Sequence, residues 1–113
     1  MLPLEGKVAI VTGAGRYNGI GRHVTLALAR QGADIAITGS GRPPDTYPED
    51  EKAMGWRDIH SVAEEVRALG RRALPLVIDI ANAGQVQRLV EETRREPWQG
   101  RYYGDFPFFG FGR

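Results

Sequence analysis

Two kinds of apolar run alternate along the chain. Lys7 to Thr12 (KVAIVT) is short, continuous and rich in β-branched residues, and it reads as a buried strand. Ile20 to Gln31 is longer and periodic. Ile20, Val24, Leu26, Ala27, Leu28 and Ala29 give it a wide apolar face, and Gly32 supplies a helix stop. Asp34 to Thr38 (DIAIT) predicts a second strand. A polar stretch over 39–56, with Pro43, Pro44 and Pro48, predicts a long loop. Arg57 to Leu69 predicts a second helix, with Ile59, Val62, Val66 and Leu69 on one face and Gly70 as its stop. Ala73 to Ile80 predicts a third strand. Asn82 is placed to cap a third helix, Gln85 completes a capping-box pattern, and Val86, Leu89 and Val90 line its inner side.

Strands alternating with helices pair in parallel through crossovers, so the pattern predicts an α/β fold. The expectation is a partial doubly wound, Rossmann-like sheet in strand order 3-2-1, with helices on both faces and a domain covering 1–96. Residues 97–113 (PWQGRYYGDFPFFGFGR) break the pattern. Trp98, Tyr102, Tyr103, Phe106, Phe108, Phe109 and Phe111 are interspersed with glycines and prolines at a spacing that suits neither helix nor strand. They are expected to form an irregular aromatic tail. With no fourth strand in view, the outer edge of the first strand is left open, a place where copies of the chain can self-associate.

The strongest chemical signal sits at the first strand–helix junction. In Val8 to Arg22 (VAIVTGAGRYNGIGR) glycines occupy 13, 15, 19 and 21, between an apolar run and a helix start. Such a turn lets the backbone approach a pyrophosphate, and the helix N-terminus favours its negative charge. Gly13, Gly19, Ile20 and Gly21 are therefore candidate cofactor-binding residues. A tight turn without ligand is the bland alternative.

Composition narrows the partners. A net charge of +1 gives no reason to expect nucleic acid or an anionic membrane. No run approaches the ~20 apolar residues of a membrane span, and the N-terminus lacks a signal-peptide pattern. The default setting is cytoplasmic. There is no cysteine, and His23 and His60 lack ligand spacing, so no metal site is expected.

Residues 4–96 resemble the N-terminal half of a short-chain dehydrogenase/reductase. The likeness rests on LEGKVAIVTGAG, on GIGR at the helix start, on LARQGADIAIT, on a third strand ending in Asp79-Ile80, and on QVQRLVEE. It implies binding of NAD or NADP and hydride transfer between the nicotinamide and a carbonyl or alcohol. It also implies that Asp79 accepts from the adenine amino group, beside the Ile80 backbone; a turn aspartate is the alternative.

The departures from that pattern are informative. Five residues separate Gly13 from Gly19 where the family usually has three, so Tyr17-Asn18 reads as an insertion. An NAD-binding unit usually carries an acid at the end of the second strand, where this chain has Thr38-Gly39-Ser40-Gly41-Arg42. Ser40, Arg42 and Arg16 are candidates to meet a 2′-phosphate, which favours NADP over NAD. The Asn82-Ala83-Gly84 triplet is a coincidental match to a family motif that follows the fourth strand.

The family's catalytic pair is Tyr-x-x-x-Lys with an upstream Ser. No tyrosine here has a lysine four residues on, so no catalytic residue is carried over. The expectation is an oxidoreductase by resemblance, with an altered or truncated end before the catalytic residues. A non-catalytic NADP-binding module and an interaction protein are the alternatives.

Overall fold

A computed structural model describes residues 2–98 and 108–111. In chain order these form β1 (Val8–Val11), α1 (Ile20–Arg30), β2 (Asp34–Gly39), a 3-10 turn (Pro44–Thr46), α2 (Glu49–Ala53), α3 (Ile59–Ala68), β3 (Ala73–Val77), α4 (Ala83–Arg95) and β4 (Phe108–Phe111). The sheet order is β3-β2-β1-β4. All three strand pairs are parallel, with Val8 opposite Asp34 and Phe108, and Ile35 opposite Ala73.

The first three strands stand in the 3-2-1 order that the alternation predicts. The β4 pairing corrects two expectations. Residues 108–111 are strand rather than irregular, and they cover the β1 edge through which self-association was expected. The run Phe-Phe-Gly-Phe is apolar and strand-forming. Its glycine and the proline just before it hid a strand of only four residues.

The pleat divides the core. Ala9, Val11, Ile35 and Ile37 face a cluster with Leu26 and Ala29 of α1 and Ile59, Val62, Ala63 and Val66 of α3. Val8, Ile10 and Ala36 face the other side, with Ile78, Leu89 of α4 and Trp98. Alternate residues of a strand point to opposite faces, so the central residues of β1 and β2 are apolar on both sides. All six residues of β2 are buried, and the carboxylate of Asp34 accepts the Arg72 N–H at 2.9 Å. Pro75 is accommodated in β3, at the edge of the sheet, where a missing N–H costs least.

Trp98, assigned from sequence to the aromatic tail, is fully buried, and its Nε1 donates to the Thr93 carbonyl at 2.8 Å. The α4 helix starts as expected: the Asn82 side chain accepts from the Gln85 N–H. The Gln85 side chain, however, accepts from the Asp79 N–H at 2.7 Å. Five apolar positions leave their predicted faces. Ile20 is 83 % exposed at the first residue of α1, and Leu69 is 40 % exposed just beyond α3. Ala27 of α1 is exposed, and in α4 Leu89 is buried while Val86 and Val90, expected beside it, are each 37 % exposed. The stretch 39–56, expected to be a loop, contains the 3-10 turn and α2. Together with residues 56–58 it forms a strap that returns to the end of β1.

Candidate functional site

The C-terminal ends of β1, β2 and β3 open into one cleft. Gly13, Thr38, Gly39, Ser40, Ile78, Asp79 and Ile80 line one part, and Gly13, Gly15, Arg16, Gly39, Ser40, Arg42 and Asp58 line the adjoining part. Of the sequence-predicted site residues, Gly13, Arg16, Ser40, Arg42, Asp79 and Ile80 line this cleft. Gly19, Ile20 and Gly21 form the start of α1 beside it.

Backbone geometry explains two of the glycines. Gly13 has φ +66°, where a side chain is strained. A Cβ on Gly21 would stand 2.6 Å from the Gly13 carbonyl oxygen and 2.8 Å from the Ala14 Cα, so α1 approaches the loop this closely only with glycine there. The loop is tied to β2 by the Ala14 N–H, which donates to the Thr38 carbonyl at 3.0 Å. At the start of α1, Gly19 gives no side-chain cap and the first turn carries no acid. The positive end of the helix is therefore uncompensated by its own side chains, a setting that suits an anion.

Beside Gly15 and Arg16 lies an ion cluster that the order of residues in the chain does not reveal. Asp58 Oδ1 accepts from Arg42 Nη2 at 2.6 Å and from Nε at 3.2 Å, and Glu51 Oε1 accepts from Arg42 Nη2 at 2.9 Å. The three side chains are 14 %, 3 % and 10 % exposed for Arg42, Glu51 and Asp58. Burial pulls the Arg42 guanidinium down, but the bonds and charges of Asp58 and Glu51 outweigh it and hold its pKa above the ordinary value. The Arg42 guanidinium also sits 4.5 Å over the Tyr47 ring. Arg42, expected from sequence to be free for a phosphate, is instead held by two carboxylates.

Asp58 is the residue that sequence reasoning missed. The end of β2 lacks an acid, yet the start of α3 delivers one to the same place. The Asp58 carboxylate lies so close to Gly15 that a Cβ there would stand 2.5 Å from Oδ1, and Asp58 itself takes φ +57°. In the sequence Asp58 stands inside the helix predicted over 57–69, with nothing to mark it as a site residue, whereas the helix begins one residue after it, at Ile59. The helix makes no side-chain cap with it.

Across the cleft, Asp79 is exposed, and its Oδ1 accepts from the Ala81 N–H at 3.0 Å. It thus serves a turn and lines the cleft at once. Ile80 is 49 % exposed. Among the described residues, no group of three or more His, Asp or Glu is placed to hold a metal, and no helix is long and apolar enough to cross a membrane. Chemically the cleft offers loop N–H groups and a helix N-terminus for phosphates, hydroxyl and guanidinium donors at one corner, and carboxylates at 58 and 79.

No protein-family model matches the chain. Among curated proteins it is 37 % identical over 94 residues to hydroxynaphthalene reductase arp2 of Aspergillus fumigatus, covering 83 % of this chain and 29 % of that one. It is 38 % identical over 99 residues to human dehydrogenase/reductase SDR family member 1, covering 88 % and 26 %. Among solved structures, a short-chain type dehydrogenase/reductase from Mycobacterium marinum is 31 % identical with a TM-score of 0.63, over 82 % of this chain and 31 % of that one. Carveol dehydrogenase from Mycobacterium avium, in complex with NAD, is 28 % identical with a TM-score of 0.67, over 84 % and 33 %. The chain spans about a quarter to a third of the length of these relatives.

Proposed function

The stretch shared with these relatives belongs to the short-chain dehydrogenase/reductase family, and from that premise we propose that it is the dinucleotide-binding part of an NAD(P)-dependent oxidoreductase. The observation that carries this reading is the single cleft formed by the glycine loop and the ends of β1, β2 and β3. Ligands of open α/β sheets bind at that end of the strands. In this reading Gly13, Gly19, Ile20 and Gly21 hold the pyrophosphate, and Asp79 and Ile80 hold the adenine. The bound dinucleotide supplies the hydride chemistry; these residues bind and orient it. A cytoplasmic setting belongs to the same proposal.

NADP stays the preferred cofactor in this proposal, with the weight moved from Arg42 to Arg16: Asp58 brings a carboxylate to the end of β2, but its Oδ1 is taken up by Arg42, which offsets its charge. Arg16 is exposed at the corner that Ser40 and Arg42 also line. Arg42 has Nε and Nη2 engaged by carboxylates, which fixes its guanidinium beside the same corner. Titration of the chain with NADPH and with NADH, read by nucleotide fluorescence, tests both levels. NADPH is expected to bind more tightly, and Arg16→Ala is expected to weaken it about tenfold while leaving NADH unchanged. Binding of neither nucleotide would sink the dinucleotide reading. Equal affinities would sink the NADP preference alone.

A further inference from the structure

Two departures from the expected pattern meet in space. The Tyr17-Asn18 insertion lengthens the glycine loop, and the strap at 39–58 lengthens the connection after β2. Each makes its bonds to the other. Glu51 Oε2 accepts from the Tyr17 N–H at 2.9 Å, and Asp50 Oδ2 accepts from Asn18 Nδ2 at 3.2 Å. Trp56 Nε1 donates to the Gly15 carbonyl at 2.6 Å, and the Trp56 and Tyr17 rings meet edge to face at 5.2 Å. From below, Arg22 Nη1 donates to the Tyr17 carbonyl at 3.2 Å, with its guanidinium 4.5 Å over the Tyr17 ring and braced by Glu65.

The bonds converge on the two residues that flank Arg16. Gly15 is held at its carbonyl, and Tyr17 is held at both its N–H and its carbonyl. Arg16 itself is exposed. A side chain that must wait in solvent for a ligand loses less entropy on binding when its backbone is already fixed. We propose that the strap is a buckle for the glycine loop, with Trp56 and Glu51 as positioning residues that fix the backbone on either side of Arg16. The ligand class is a 2′-phosphorylated adenine dinucleotide, and in that respect the proposal rests on the cofactor reading above. Glu51 couples the two ends of the corner. One carboxylate oxygen serves the Tyr17 N–H and the other serves Arg42.

The test uses the full chain, with Trp56→Phe and Glu51→Gln. Phenylalanine keeps a ring but has no N–H for the Gly15 carbonyl. Glutamine has one acceptor oxygen where the carboxylate uses two, so one of its two bonds is lost. Amide exchange is measured first, without nucleotide. Residues 16–19 are expected to exchange about two- to tenfold faster in both variants, while β1 and β2 keep the wild-type rates. NADP affinity is expected to fall about two- to tenfold, NAD affinity by less, and the excess loss for NADP to vanish when Arg16→Ala is already present. Unchanged loop exchange in both variants would overturn the buckle. So would equal losses for NAD and NADP, because the strap would then not act through Arg16. A wild-type chain that binds no dinucleotide, but whose loop still loosens in Trp56→Phe, would remove the cofactor reading and the role given to Arg16 while leaving the loop contact itself standing.

Discussion

On one wall of the cleft, Arg42, Glu51 and Asp58 converge with Gly15 and Tyr17, drawing on bonds that span up to 41 positions of the chain. On the other wall, Asp79, Ala81, Asn82 and Gln85 satisfy one another within a single turn, all of it exposed or half-exposed. The first wall buries charge and needs every partner in place. The second is a local turn in water, where a lost bond is replaced by solvent. Stability, rigidity and tolerance to substitution should therefore differ sharply across a gap that one ligand would bridge.

The harshest test of that contrast is Arg42→Ala. It would leave Glu51 and Asp58 buried without their cation. Breaking a buried pair from one side costs about 3–5 kcal/mol, because the remaining charge is uncompensated. Denaturant unfolding followed by tryptophan fluorescence should show a loss of that size, with Trp98 reporting the core and Trp56 the strap. For the same reason Arg42→Ala is a poor probe of cofactor choice, and Arg16→Ala a good one.

On the opposite wall, Asn82→Ala removes the oxygen that accepts the Gln85 N–H. An N-cap of this kind contributes about 1 kcal/mol. The same unfolding measurement should register a loss several times smaller than for Arg42→Ala. Comparable losses for the two variants would mean that the ion cluster is not the tighter structure, and the contrast between the walls would collapse.

The contrast also separates what the sequence could and could not disclose. Features built from neighbours were legible. The glycine turn, the Asn82 cap and the strands β1 to β3 each rest on spacing within a few residues. The parallel 3-2-1 order followed from alternation alone. Asp58 was not legible, because its place is set by where α3 begins in space, 19 positions after the end of β2 in the chain. The fate of Arg42 followed from that: without Asp58 and Glu51 in view, an arginine beside two prolines reads as unengaged. Trp98 and β4 were hidden for a different reason. A tail crowded with aromatics, glycines and prolines has no period, so burial of one tryptophan and pairing of four residues leave no pattern to read.

The finest probe of the strap wall is pH. Tyr47 is 9 % exposed under the Arg42 guanidinium. Burial and then the Asp58 charge raise its pKa above the ordinary tyrosine value, against a smaller opposing pull from Arg42. The folded chain thus holds the phenolic proton more tightly than the unfolded chain does. Where the native state binds more protons than the unfolded state, stability falls as pH rises. The contribution of Tyr47 is present in full below about pH 10, its unfolded value, and is lost as pH climbs through the higher folded value. Lysines and other tyrosines titrate in the same alkaline range, so the quantity to measure is a difference. Unfolding free energies of wild type and Tyr47→Phe, taken from about pH 8 to about pH 11, should run parallel at first. The wild-type curve should then drop away from that of the variant, which has no proton to lose at this position. Curves that stay parallel throughout would mean that ionised Tyr47 is accommodated beside Asp58 and Glu51, and that this wall of the cleft is wetter and looser than its buried ion pairs imply.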